Sequence, residues 1–135
     1  MFRSTGSFAA SIMGFALMLA LAGPAAAQTI EGRFCGRLAS GAEIVHAVTE
    51  LRTTADGRLS GSYTFDDGGT ASSGTLSELE AGEGRTRRLV WRDRYGSGTL
   101  VITFDQSLQS FRGLWGPGRS EPNARWDGRL CGTGT

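Results

Sequence analysis

Five arginines fall between positions 85 and 94, at Arg85, Arg87, Arg88, Arg92 and Arg94, interleaved with Trp91 and Tyr95. Guanidinium groups grip phosphate, sulfate and carboxylate bidentately, so clustered arginines are a candidate anion site. With Leu89 and Trp91 facing inward on a strand, Arg88, Arg92 and Arg94 are expected to line its outer face. The plainer alternative is a solvated strand face balanced by Asp93 and neighbouring acids. A second candidate is the connection Gly116 to Asn123, which holds Pro117 and Pro122 between two tryptophan-bearing strands. Stiffened loops on a rigid scaffold often bind partners. Trp115, Arg119, Glu121, Asn123 and Trp126 are therefore a candidate binding loop. The alternative there is a wide hairpin whose prolines block edge pairing.

Other constellations are thinner. His46 is the single histidine. A general base needs a nucleophile and an orienting acid beside it. Glu43 and Glu50 lie on the same strand, but only Glu50 shares its parity, and no serine sits in a nucleophile-elbow context. Two cysteines and one histidine cannot close a tetrahedral zinc site. The turn Asp66-Asp67-Gly68-Gly69 lacks the ligand spacing of a calcium loop. Gly82-Glu83-Gly84 and Gly96-Ser97-Gly98 do not match a phosphate-binding fingerprint. No catalytic, metal or cofactor site is expected.

The chain opens with Met1-Phe2-Arg3, an apolar run from Ile12 to Ala22, Gly23-Pro24 and the triplet Ala25-Ala26-Ala27. That order is the pattern of a cleavable secretory signal, with processing after Ala27. The apolar run is shorter than the roughly 18 residues of a spanning helix. The expected organisation is a signal over residues 1–27 and a single domain over residues 28–135. Arg3 leaves with the signal, so the 14 cationic side chains become 13, level with the 13 acidic ones. A balanced chain lacks the global field of a nucleic-acid binder. The two cysteines of an exported chain read as one disulfide, Cys35 to Cys131.

The mature part alternates short β-branched and aromatic runs with Gly/Asp/Ser punctuation, and no helical period is sustained. Eight strands are predicted: Ile30–Ala39, Glu43–Thr53, Arg58–Phe65, Thr70–Leu79, Arg85–Asp93, Gly98–Phe104, Ser110–Gly116 and Ala124–Cys131. Short turns between them imply an antiparallel meander. An apolar-x-Gly-x-apolar unit recurs, as in Phe34-Cys35-Gly36-Arg37-Leu38, Leu59-Ser60-Gly61-Ser62-Tyr63 and Phe111-Arg112-Gly113-Leu114-Trp115. Its glycines share the buried face with their apolar neighbours. Such glycines suit the sharp bends and close ring packing of a small coiled barrel.

By the same parity Cys35 and Cys131 point outward from strands one and eight. In an up-and-down barrel those strands are neighbours, so the bond can cross the closing seam. An all-β, eight-stranded antiparallel barrel is therefore predicted, with a β-sandwich as the alternative. Phe34, Tyr63, Phe65, Trp91, Phe104, Phe111, Trp115 and Trp126 are predicted to face inward. They are expected to fill the core, leaving at most a shallow pocket at one mouth.

Gly61 and Tyr63, then Phe111, Gly113, Trp115 and Gly116, then Trp126 and Gly128, resemble a pattern in exported bacterial β-domains of unknown function. That pattern closes with F-x-G-x-W-G … W-x-G-x-R, and here Arg129 directly follows Gly128 instead. The resemblance implies a β-domain and carries no active site. The stretch Asp56 to Tyr63 is faintly similar to avidin-like and lipocalin-like barrels. Strand one offers Gly36 and Arg37 with no asparagine, so the biotin-holding polar set is missing.

The expectation that follows is a non-enzymatic periplasmic or secreted binding module without a cofactor. Its partner would be a protein, polysaccharide or lipid head group of the cell envelope, held through the arginines and loops. No nucleic acid and no membrane span after signal cleavage are expected. The alternative is a carrier of a small apolar ligand in a partly open barrel, and a hydrolase is the least supported reading.

Overall fold

The computed structural model describes residues 29–132 and isolated positions between 6 and 18. The expected signal and its cleavage point after Ala27 otherwise lie outside the described residues. Eight strands form in chain order: β1 (Gly32–Ser40), β2 (Glu43–Thr53), β3 (Leu59–Asp67), β4 (Thr70–Ser77), β5 (Thr86–Asp93), β6 (Gly96–Phe104), β7 (Ser110–Pro117) and β8 (Ala124–Leu130). Each pairs antiparallel with the next, and β8 pairs with β1, closing the barrel. The sandwich alternative is overturned by that last ladder.

Alternation supplies the core. Leu59, Tyr63 and Phe65 point inward from β3, Leu89 and Trp91 from β5, and Leu100, Ile102 and Phe104 from β6. The opposite face of β3 presents Ser60, Ser62, Thr64 and Asp66. An apolar inside with a polar outside is the reverse of a membrane-spanning barrel. Among the described residues, no helix is long and apolar enough to cross a membrane.

The recurring glycines have two causes. A Cβ on Gly128 would lie 2.7 Å from the Phe111 ring, and one on Gly36 would collide with the Asp127 carbonyl of β8. The first is ring packing and the second is backbone crowding where the sheet coils tightly. Outside the ladder, Cys35 and Cys131 form the disulfide over the β1–β8 seam, with Cα atoms 5.0 Å apart. A stable disulfide points to an oxidising, non-cytoplasmic compartment.

Strand ends depart from the expected bounds for identifiable reasons. Ile30 leaves β1 and tucks under the barrel at 4% exposure, its carbonyl accepting a bond from Thr53 Oγ1 at 2.8 Å. β4 stops at Ser77 because Glu78 turns inward while Leu79 stands in solvent. Leu130 shares inward parity but sits at the rim over Gly32, where it stays 37% exposed.

One end is sealed. Glu78 and Arg87, exposed by 5% and 7%, meet through Arg87 Nε–Glu78 Oε2 at 2.7 Å and Arg87 Nη2–Glu78 Oε1 at 2.6 Å. Glu78 Oε1 also accepts from the Leu59 N–H at 2.9 Å, and Arg87 Nη2 donates to the Gly57 carbonyl at 3.1 Å. Arg87 is thus no part of an outer arginine stripe. It shares inward parity with Leu89 and ties three strands together across the short β4–β5 ladder.

Candidate functional site

The other end of the barrel is open. Tyr63, Phe65 and Asp67 succeed one another inward on β3, as do Leu89, Trp91 and Asp93 on β5. Both strands therefore run from apolar core to a carboxylate at the mouth. Leu38 on β1, Trp115 on β7, Trp126 on β8 and Tyr95 in the β5–β6 turn complete the wall of a cavity of about 340 Å³.

The rings are fixed before any ligand arrives. Tyr63 and Trp126 meet edge to face at 4.7 Å, and Trp91 and Trp115 do so at 5.4 Å. Every indole N–H is used within the protein: Trp91 donates to the Gly116 carbonyl, Trp115 to the Ala39 carbonyl and Trp126 to Thr49 Oγ1. Gly74 makes room for the Tyr63 ring, which a Cβ there would strike. Because the Tyr63 hydroxyl is anchored, the ring cannot simply swing away. Gly74→Ala is expected to lose about 1–3 kcal/mol in urea unfolding. An unchanged midpoint would contradict that packing.

Two carboxylates border the cavity. Asp93 accepts from Tyr63 Oη at 2.6 Å and from the Tyr95 N–H at 2.8 Å. Asp67 accepts from Ser72 Oγ at 2.8 Å and from the Tyr95 hydroxyl, which reaches it from the turn. Those hydroxyls, Tyr95 first and then Ser72, hold the Asp67 carboxyl below its usual range, with a smaller pull from Arg94. Burial, then the bond to Asp93, pushes the Tyr63 phenol up. The bond to Asp67 pushes Tyr95 up as well.

A folded-state value above the unfolded one gives stability that is complete below about pH 10 and lost as pH rises through the folded value. The Tyr63 phenol should therefore stay protonated at pH 10 while the chain is folded. In Tyr95→Phe, absorbance at 295 nm is expected to stay flat there, and half-ionisation at pH 10 would contradict the burial of Tyr63 and its bond to Asp93.

No family model, curated protein or solved structure matches this chain. The site is therefore read from its own geometry. Arg88 and Arg92 are exposed on the outer face of β5. By strand rise they stand about 13 Å apart, too far to clamp one small anion together. Arg94 does not continue that face, because β5 ends at Asp93. It sits in the turn with its guanidinium 5.2 Å from the Tyr95 ring centre.

The candidate loop divides. Trp115 and Trp126 turn into the mouth, whereas Arg119, Glu121 and Asn123 are exposed and do not line it. His46 is exposed on the outer face of β2. Among the described residues, no group of three or more His, Cys, Asp or Glu is placed to hold a metal.

A larger depression of about 790 Å³ lies outside β6–β8 and includes Arg85, Arg112 and Arg125. It lies open over a sheet face, and Arg125 is already paired with Asp127 at 3.0 Å. The mouth is the better-formed site. Its unforeseen members are Asp67, Asp93 and Tyr95. The first two were signalled by parity, each standing two residues beyond an inward aromatic.

Proposed function

We propose that the protein is a non-enzymatic, exported binding module that carries a small, largely apolar molecule in the mouth of its barrel. One observation carries this reading. All three tryptophans of the chain converge on one cavity, while the opposite end is closed by Ile30 and the Glu78–Arg87 pair. Ligand cavities are commonly about 300–1,000 Å³ with apolar and aromatic walls and a few placed polar groups. This cavity falls at the small end of that range. Periplasm or medium is the proposed location, in keeping with the seam disulfide.

The test uses N-phenyl-1-naphthylamine, an uncharged aromatic probe. Because every tryptophan borders the mouth, binding there should quench tryptophan emission and saturate. Ser40→Phe, at the rim, is expected to weaken probe binding by about tenfold, or 1.4 kcal/mol. No saturable quenching, or quenching untouched by Ser40→Phe, would overturn the proposal.

A further inference from the structure

Resting on the mouth as the ligand site, we infer that its ligand is an organic ammonium cation with an aromatic or alkyl body, gripped by aromatic faces and by Asp67 and Asp93. The walls supply the first half of the case. Tyr63, Phe65, Trp91, Trp115 and Trp126 line the cavity, and perpendicular pairing turns their faces in different directions. The three indole N–H groups are spent on protein acceptors. The surface offered to a ligand is therefore π face, which is electron-rich and attracts cations, quaternary ammonium above all.

Charge supplies the second half. Asp67 and Asp93 stand on different strands yet border the same cavity, and among the described residues no Arg, Lys or His lines it. The chain is rich in arginine, but neither carboxylate belongs to a salt bridge among the described residues. Arg94 is the nearby cation, and its guanidinium stacks on the exposed Tyr95 ring without lining the cavity. Both hydrogen bonds to Asp67 fall on Oδ2, leaving Oδ1 without a donor among the described residues. A neutral ligand offers the two carboxylates at most an uncharged donor against the water it displaces, and an anion would be repelled. An ammonium group repays that desolvation while its body covers the rings. A bare metal ion would leave the aromatic walls unused.

The experiment compares benzyltrimethylammonium with neopentylbenzene, its uncharged carbon isostere, by displacement of N-phenyl-1-naphthylamine from the folded, disulfide-bonded chain. The cation is expected to bind about tenfold or more tightly than the isostere. Asp67→Asn/Asp93→Asn should lower that ratio by about threefold or more, leaving the part that the aromatic faces supply. The inference is overturned, with the mouth still a ligand site, if the probe binds and the isostere equals or exceeds the cation. It is also overturned if the double variant folds and keeps the wild-type ratio. If probe, cation and isostere all fail to bind, the proposed function falls with it. The wild-type comparison decides the matter even where the double variant does not fold.

Discussion

Replacing Cys35 and Cys131 together by serine is expected to lower the unfolding free energy by about 4–5 kcal/mol, nearly the whole stability of a small domain. The bond joins positions separated by 96 residues, so it restrains almost the entire described chain when unfolded. Chain-entropy reasoning assigns the largest effects to such long loops. The bond also crosses the one ladder that closes the barrel, where β1 and β8 pair only from Phe34 to Leu38. Urea titrations of the oxidised chain and the double serine variant measure the difference. A loss below about 1 kcal/mol would mean that the seam holds without its crosslink.

Glu78→Gln should cost about 3–5 kcal/mol, because it leaves the Arg87 guanidinium buried without its counter-charge. Replacing both partners by apolar residues of similar size, Glu78→Leu with Arg87→Met, should recover most of that loss. The single and double variants together therefore separate an uncompensated charge from simple loss of contact. The pair also predicts acid sensitivity. Burial alone would raise the Glu78 carboxyl, but it is outweighed by Arg87 and the Leu59 and Gly82 N–H groups, leaving it below its usual 4.5. Its contribution is then present above about pH 4.5 and lost as pH falls through the lower folded value. In the Glu78→Leu/Arg87→Met variant that part of the acid unfolding should vanish. Unchanged acid midpoints in both variants would contradict a structural role for the pair.

Alternation made most of the architecture legible. Phe34 and Gly36 facing inward put Cys35 outside, and the same parity on β8 put Cys131 beside it, which implied a closed seam. It could also have placed Arg87, two residues before Leu89, and Asp93, two residues after Trp91. Charge obscured both. Five arginines in a short run read as a solvated stripe, and Glu78, the partner that draws Arg87 inside, shares inward parity with Leu76 on the expected strand Thr70–Leu79 but is itself charged. Asp67 was read as turn chemistry for a similar reason, since Asp66-Asp67-Gly68-Gly69 suits a turn whatever its side chains face.

The split between core and site was hidden more deeply. Phe34, Phe104 and Phe111 pack against one another, whereas Trp91, Trp115 and Trp126 line the mouth. All six are inward aromatics of one pattern. Their different roles depend on height along the barrel, which register and closure fix and local spacing does not. Grouping Trp115 and Trp126 with Arg119, Glu121 and Asn123 followed sequence proximity, while the strands turn the rings into the cavity and leave the three loop residues exposed outside its lining.

Titration of N-phenyl-1-naphthylamine into isotope-labelled protein, followed by nuclear magnetic resonance, tests the mouth most directly. The three indole N–H signals of Trp91, Trp115 and Trp126 should move together and saturate with one Kd. The amides of Phe34 and Phe104, away from the mouth, should stay still. Indole signals that remain fixed while Arg88 and Arg92 shift would contradict the mouth as the ligand site.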